Sequence, residues 1–393
     1  MIYLYLFLYA LLLIAGALSL GIGPDEAKIL FADSGSLHTL ASLMYSLRPG
    51  SELIVRLPNI LVTLLDVYLV YRLARHFLRF EKDALFAAIL FSLLPAIIAA
   101  GVLVNKAPFL IFFTLLFLFI FLRSEEYAFG FALILLLLDK AFAILFLALF
   151  FYYYFHDRRR FAARYAILFT LSILFFGFDV GGKPRNYFLD TFAIFAAIFS
   201  PLLFLYFFYV IYRILVKEPK DILFYISATP FLFALVLSFR QRIDLVDFAP
   251  FAVFGVLLMV RTFLHSLRVR LPKYRKRLLL AFWIVMVSLM ANDLGLMLHR
   301  ALLYILPPQK HFAKHYYVAK ELAKKLKDRG ITCIHTDSSS LQRQLRFYGI
   351  GECGEYHLGH RGDELLEIRI GDVVLERYFV TKRNENRVQR IIL

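Results

Sequence analysis

Eleven apolar runs follow one another along the first 300 residues and decide what this chain can fold into. A helix that crosses a bilayer needs roughly 20 apolar residues, and fewer where it is short or broken. The sequence is 61% hydrophobic and 19% charged, against about 45–50% and about 25% in soluble domains. We therefore predict an all-α polytopic membrane protein with about 11 transmembrane helices, near residues 1–21, 57–78, 84–104, 107–122, 127–138, 141–155, 161–178, 191–213, 222–239, 248–264 and 279–298.

The runs at 127–138 and 141–155 are the shortest, and only Asp139 and Lys140 separate them. Two short spans fit this pattern, and so does one re-entrant hairpin whose backbone is buried in protein. The sequence leaves both alternatives open. The choice matters, because an even number of crossings would move the C-terminus to the other side.

The net charge of +16 is distributed unevenly between the two sides. With the N-terminus in the cytoplasm, nineteen Lys and Arg fall in cytoplasmic connections and nine in the short outward ones. An excess of Lys and Arg on the cytoplasmic side orients membrane proteins, so we interpret the basic run Arg268 to Arg277 as a topology signal and predict no nucleic-acid partner. We expect a multi-pass protein of the cytoplasmic (inner) membrane; cleavage of residues 1–21 as a signal peptide is the alternative, although a positive n-region is missing.

The chain changes character after residue 300, so we divide it into a transmembrane domain, 1–300, and a soluble α/β domain, 301–393, which eleven crossings place on the extracytoplasmic side. We expect a helix from His311 to Gly330, a strand over 331–336, a helix that Asp337 or Ser338 caps and that runs through Leu345, and a hairpin of 365–370 and 373–380 about Gly371–Asp372. Outside the cytoplasm a disulfide between Cys333 and Cys353 is permitted. The apolar strand around Cys333 favours two buried thiols, and the pairing stays open.

Ionisable residues at a membrane edge are functional candidates, because a charge there is costly unless it meets water or a ligand. The first outward loop opens with Asp25 and Glu26 directly after the first run, continues through His38 and Glu52, and reaches Arg56 at the next run. The alternative for Asp25 and Glu26 is structural: acidic residues in the first turn of a helix favour its macrodipole.

Three motifs in order carry a family resemblance. They are the acidic pair Asp25-Glu26 after the first span, the Arg56-Leu57-Pro58 entry into the second, and its Tyr68-x-x-x-Arg72 exit. In order, spacing and sidedness this resembles the GT-C superfamily of membrane glycosyltransferases, and family 39 in particular, with its protein mannosyltransferases and lipid A aminoarabinose transferases. The resemblance covers approximately residues 20–160.

The resemblance implies an inverting glycosyltransferase that moves a sugar from a polyprenyl-phosphate carrier to a cell-envelope acceptor on the outer face. The acceptor could be a protein, lipid A or a glycan, so protein glycosylation and lipopolysaccharide modification are both implied, with membrane lipid as a further partner. The family's acid maps to Asp25, with Glu26 as its neighbour. Asp25 would act as general base toward the acceptor hydroxyl, since the departing phosphate needs neutralisation more than a proton.

Basic residues of the outward loops are candidates for the carrier phosphate. Lys140 matches the family's outward lysine after an apolar run, and Arg240 and Arg242 could fork onto phosphate oxygens; Lys106 is a fourth candidate. The alternative for Lys140 is a charge that fixes the topology and pairs with Asp139. The alternative for Arg240 and Arg242 is snorkelling at a helix end. Asn105 replaces an Asp that relatives commonly carry, so that residue's role is absent or relocated.

Metal and acceptor binding are less defined. His38 and Glu52 could join Asp25 or Glu26 at a divalent metal, yet no tight ligand spacing supports one; otherwise His38, Glu52 and Arg56 are acceptor or loop residues. Two other classes of function compete with the enzyme. A transporter or lipid flippase also carries charges in a membrane cavity, and a non-catalytic scaffold would use its outward domain to bind a partner.

Overall fold

The computed structural model describes residues 1–177, 186–298, 314–359, 361, 364–370 and 373–382. Most of them are helical. We number the helices as α1 Ile2–Ser19, α2 Pro24–Phe31, α3 Ser36–Leu47, α4 Glu52–Phe77, α5 Glu81–Ser92, α6 Pro95–Val102, α7 Ala107–Arg123, α8 Glu125–Leu138, α9 Phe142–Phe155, α10 Arg159–Phe176, α11 Phe188–Phe199, α12 Pro201–Lys217, α13 Ile222–Ser238, α14 Ala249–Ala252, α15 Gly255–Val269, α16 Pro272–Met297, α17 Lys314–Asp328 and α18 Ser339–Phe347.

As far as the structure describes them, the predicted runs are helical, in one piece or two, but eleven crossings are not confirmed. Within the described residues four helical segments are long and apolar enough to cross a membrane: α1, α4, α16 and the segment Leu245–Val269, which contains α14 and α15. The number rises to six if the bent pairs α5–α6 and α11–α12 each count as one span. The chain is thus a mostly helical, multi-pass membrane protein with a small C-terminal sheet.

Large apolar side chains on these helices remain exposed, which a soluble protein would avoid. Leu174 is 73% exposed, and Trp283 and Val287 are each 62% exposed. Contiguous apolar surface of this kind marks contact with lipid or another protein. The 61% hydrophobic content of the sequence is therefore divided between a packed interior and an apolar exterior.

The chain breaks between α8 and α9 at the two charged residues that separate the shortest runs. Asp139 has an extended backbone, with φ −156° and ψ 144°. Its Oδ1 accepts a hydrogen bond of 2.8 Å from Ala141 N, a local competition with helical pairing that is typical of Asp in turns. The segment 125–155 therefore consists of two separate helices, with Asp139 and Lys140 in the connection.

The C-terminal residues form a four-stranded sheet with two helices. The strands are β1 His335–Thr336, β2 Tyr356–Gly359, β3 Glu364–Ile370 and β4 Val373–Lys382, in the order β1-β2-β4-β3. β1 is parallel to β2, and the other pairs are antiparallel. Ser338 caps α18 by accepting from Leu341 N, as predicted. β2 was not predicted; the start of the predicted helix at His311, the Gly371–Asp372 turn and the 300/301 boundary lie outside the described residues.

Cys333 and Cys353 are joined in a disulfide with a Cα–Cα distance of 5.4 Å. The interpretation as two buried thiols is therefore wrong. Cys333 pairs in a parallel bridge with Gly351, two residues before Cys353, and this pairing brings the two sulfurs together. No hydrophobicity pattern could reveal that approach, since Gly351 lies outside any apolar run.

By packing, the chain separates into two compact units. The first comprises residues 1–10, 61–101 and 106–294, and the second comprises 11–60, 102–105 and 295–393. The second unit therefore contains the segment from the second half of α1 to the start of α4, together with the C-terminal helices and sheet. Its cores include one formed by α17, α18 and the strands, and a smaller one around α2 and α3.

Candidate functional site

In the second unit, Glu26 and Arg56 form a buried ion pair at the start of α2. Their side chains are 3% and 0% exposed, respectively. Arg56 Nε donates to Glu26 Oε1 over 2.9 Å and Nη2 donates to Oε2 over 2.6 Å. The backbone N–H of Val104 donates to Glu26 Oε1 over 2.9 Å, and that of Gly23 donates to Oε2 over 2.8 Å. A bidentate, fully hydrogen-bonded pair of this kind is what a buried charge requires.

Arg56 also binds the end of α1. Its Nη1 donates to the carbonyl oxygens of Ala17 and Leu20, each over 2.8 Å, and its Nη2 donates to Gly21 O over 2.6 Å. The last carbonyls of a helix have no partner within the helix, and a cation there is favoured by the macrodipole. One guanidinium therefore joins the end of α1, the start of α2 and α4, and fixes the segment that leads to Asp25.

The same segment packs closely against the C-terminal helices. A Cβ on Gly21 would lie 2.2 Å from Tyr316 O, and a Cβ on Gly23 would lie 2.6 Å from the Tyr316 ring. Only glycine permits this approach. Between them, Ile22 donates its N–H to the Tyr348 hydroxyl over 2.9 Å, and its carbonyl accepts from Gln344 Nε2 over 2.7 Å.

Asp25 follows this fixed segment and is exposed, in contrast to its buried neighbour Glu26. Pro24 begins α2, which places Asp25 and Glu26 in the first turn. The two carboxylates thus differ in environment: Glu26 accepts its hydrogen bonds from groups inside the protein, whereas the side chain of Asp25 is exposed at the protein surface. Burial and the charge of Glu26 raise the pKa of Tyr316 to about 12, so this neighbour stays neutral at physiological pH.

The remaining candidates of the first loop have structural contacts. The Lys320 ammonium lies 2.8 Å from Glu52, and the Tyr348 hydroxyl donates to Glu52 over 3.0 Å. Burial, followed by the charge of Glu52, raises the pKa of Tyr348. His38 Nδ1 donates to Ile29 O over 2.9 Å. Within the described residues, no group of three or more His, Cys, Asp and Glu side chains is arranged to hold a metal ion.

In the first unit, Lys106 lies between two carboxylates. Its Nζ is 3.1 Å from Asp139 Oδ1 and also pairs with Asp247, whose Oδ2 lies 3.7 Å from Lys140 Nζ. Burial alone would lower the pKa of Lys106, but Asp247 and Asp139 outweigh it and raise that pKa. Lys106 is therefore charged at every physiological pH.

Turns between helices bring these four residues together. Asp139 and Lys140 occupy the break after α8, and Lys106 is the N-cap residue of α7. Asp247 ends a 3₁₀ turn, Leu245–Asp247, which begins where Asp244 accepts from Val246 N over 3.1 Å. The sequence predicted Lys106 and Lys140 as cations, but it could not show that Asp247 lies beside them, since more than 100 residues separate it from both.

A cavity of about 600 Å³ adjoins this cluster. Lys140, Arg242 and Asp247 form part of its polar wall, whereas Lys106 meets it through the ion pair with Asp247. The rest of the wall includes the carboxylate of Asp244 and the polar side chains of Ser172 and Gln241, and is otherwise mostly apolar, with Ile144, Phe169, Ile173, Phe233, Leu237 and Phe248. Arg240 is exposed and is not among the residues that line this cavity in the part of the chain described. Of the two arginines, Arg242 alone is thus placed at the cavity.

The arrangement can hold an amphipathic anion. An apolar wall accommodates a hydrocarbon chain, and cations at its polar side neutralise a head group. The side chain of Lys140, which is 39% exposed, is more accessible to a ligand than that of Lys106, which is 25% exposed.

Comparison with known proteins gives a family match over part of the chain. Residues 37–179 match the model of a family described as dolichyl-phosphate-mannose-protein mannosyltransferase. The resemblance to GT-C glycosyltransferases of the family-39 type is thereby confirmed, and it implies glycosyltransferase activity on a membrane-associated acceptor. The matched range contains Lys106 and Lys140 but begins after Asp25 and ends before Arg242. No curated protein matches the chain by sequence.

Proposed function

We propose that this GT-C-like membrane glycosyltransferase transfers a sugar from a polyprenyl-phosphate carrier to a hydroxyl group of a cell-envelope acceptor, with inversion. The observation that carries the proposal is the 600 Å³ cavity, whose apolar wall meets Lys140 and Arg242. A polyprenyl phosphate is complementary to this wall, because its hydrocarbon chain suits the apolar side chains and its anionic head suits the two cations. The family match over residues 37–179 supports the reaction class.

The chemistry is a single displacement at the anomeric carbon. The acceptor oxygen forms a bond to that carbon while the bond from the carbon to the phosphate oxygen breaks, and the electron pair leaves on polyprenyl phosphate. Asp25 takes the proton of the acceptor hydroxyl, as the base does in inverting glycoside chemistry. Lys140 and Arg242 neutralise the charge that develops on the leaving phosphate.

We assign Glu26 and Arg56 to positioning rather than to proton transfer. The three side-chain nitrogens of Arg56 donate to Glu26 or to backbone carbonyls. Two internal hydrogen bonds already reach each oxygen of Glu26. This satisfied carboxylate supports the loop, while the exposed Asp25 is open to an acceptor. Arg240 and Lys106 become secondary candidates for the carrier phosphate.

The test uses purified full-length protein in lipid nanodiscs with a polyprenyl-phosphate sugar and cell-envelope acceptors. Loss of a general base lowers rates by about 10²–10⁴-fold. We expect this loss of polyprenyl-phosphate release in Asp25→Asn, with donor binding retained. Asp33→Asn, an exposed acid of the same loop, is the matched control and should keep the wild-type rate. Equal, measurable rates in wild type and Asp25→Asn would refute the base assignment, whereas no release by the wild type would favour a transporter or a scaffold.

A further inference from the structure

A second cavity, of about 400 Å³, lies wholly within the second unit. Its wall contains Pro24 from α2, His315 from α17, residues of the first turn of α18, and Glu376 and Tyr378 from β4. The volume falls within the range of small-molecule sites, roughly 300–1,000 Å³. The reaction proposed above already assigns the carrier to a different cavity, so this one is unassigned.

The described wall combines polar side chains with apolar ones such as Val318, Leu341 and Leu358. Thr336, Ser340 and Tyr378 bring hydroxyl groups, and Asp337 and Glu376 bring carboxylates, whereas no Lys or Arg is among the described residues that line the cavity. Hydroxyl groups both donate and accept hydrogen bonds, and carboxylates only accept. An anionic ligand would meet two carboxylates here, whereas a neutral ligand rich in hydroxyl groups would find partners for both directions of hydrogen bonding.

Several of these side chains are held in place before any ligand binds. Gln344 donates from Nε2 to Ile22 O and His315 O, over 2.7 and 3.1 Å. Glu376 lies 3.4 Å from Lys314 Nζ and hydrogen-bonds the Tyr378 side chain. Such fixed groups lower the entropy cost of binding.

Pro24 relates this cavity to the proposed reaction, because the next residue is Asp25. Both residues are in the first turn of α2, whose position is fixed by the Glu26–Arg56 pair and by Gln344 on Ile22 O. We propose that the cavity binds the acceptor, and that the acceptor presents a neutral saccharide there with one of its hydroxyl groups directed toward Asp25. The acceptor role rests on the proposed function; the saccharide site itself does not.

The binding test measures the saccharide directly, on full-length protein in detergent. Cellobiose is the neutral probe, glucose 6-phosphate the anionic one, and a serine- and threonine-rich peptide the third, each titrated by saturation-transfer NMR. We expect cellobiose to bind best. Ser340→Phe, which fills the cavity, should weaken cellobiose binding at least tenfold, whereas Ser339→Phe on the exposed neighbouring position should bind like wild type.

A second variant distinguishes a loss of saccharide binding from misfolding. Thr336→Val keeps the side-chain shape of this buried strand residue and removes its hydroxyl, so we expect several-fold weaker cellobiose binding with an unchanged melting temperature. The inference is overturned if cellobiose does not bind, if the phosphate sugar or the peptide binds better, or if Ser340→Phe and Ser339→Phe bind alike.

The two proposals fail in different ways. Asp25→Asn should bind cellobiose as wild type does, because Asp25 is not among the residues of the cavity wall. Full transfer activity in Asp25→Asn would refute the proposed mechanism while saccharide binding stood. Sugar transfer by a wild type that does not bind saccharide would refute the acceptor site while the proposed function stood.

Discussion

Replacing Glu26 by Gln tests whether the buried pair fixes the segment that carries Asp25. The amide places a donor where Glu26 Oε2 now accepts from Arg56 Nη2 and Gly23 N, and it leaves the guanidinium of Arg56, which is 0% exposed, without its counter-charge. Removing one partner of a buried pair costs about 3–5 kcal/mol. We expect the lower end, about 3 kcal/mol, because Gln retains one acceptor oxygen.

Hydrogen–deuterium exchange of the peptide that covers residues 21–28 measures this loss. Exchange follows the free energy of local opening, and each 1.4 kcal/mol is a factor of about ten, so Glu26→Gln should exchange about 100-fold faster there. Asp25→Asn is the matched control, because its exposed carboxylate should leave the exchange of the peptide unchanged. If Glu26→Gln exchanges like wild type, the pair does not hold the segment and the positioning argument is wrong.

Three further predictions follow from other contacts. Lys140→Gln should raise the KM for the polyprenyl-phosphate sugar about tenfold, the loss of roughly one exposed charge-assisted hydrogen bond; Arg240→Gln should change it much less, and equal effects would contradict the cavity assignment. Gly21→Ala, whose Cβ would lie 2.2 Å from a backbone oxygen of α17, should lower the melting temperature and the transfer rate together, whereas Gly35→Ala, with nothing within 4 Å, should leave both unchanged. Cys333→Ser removes a disulfide between residues 20 positions apart and should lower the free energy of unfolding by about 3 kcal/mol through loop entropy. Limited proteolysis should then cleave the C-terminal sheet faster, and unchanged cleavage would show that the disulfide adds no stability.

The apolar helices could be predicted from the sequence because their hydrophobic pattern is local, whereas α3 was not predicted. The break at Asp139 and the Ser338 cap of α18 also depend on neighbouring residues only, so they too were predictable. The number of crossings could not be settled, since helices such as α8 and α9, each of 14 residues, are shorter than the roughly 20 residues that a span needs. Strand β2 was missed because its four residues, Tyr356–Gly359, are too few for an alternation of apolar and polar side chains to stand out in the sequence.

The candidate site was predictable as a set of residue types but not as an arrangement. Asp25 and Glu26 are equivalent in sequence, and only the Arg56 contacts distinguish the buried acid from the exposed one. The hydrogen bond from Gln344 to Ile22 joins residues 322 positions apart, and the ion pair of Lys106 with Asp247 joins residues 141 positions apart. Contacts of this kind depend on tertiary packing, which no local pattern encodes.

The mechanism as a whole is tested most directly by one reaction followed by NMR, with a polyprenyl-phosphate sugar labelled with ¹³C at its anomeric carbon. We predict that wild-type protein releases one polyprenyl phosphate for each glycoside formed, that the labelled carbon in the product has the opposite anomeric configuration to the donor, and that Asp25→Asn does so about 10²–10⁴-fold more slowly. A product with retained configuration, or transfer that proceeds equally well without Asp25, would contradict single displacement assisted by this base.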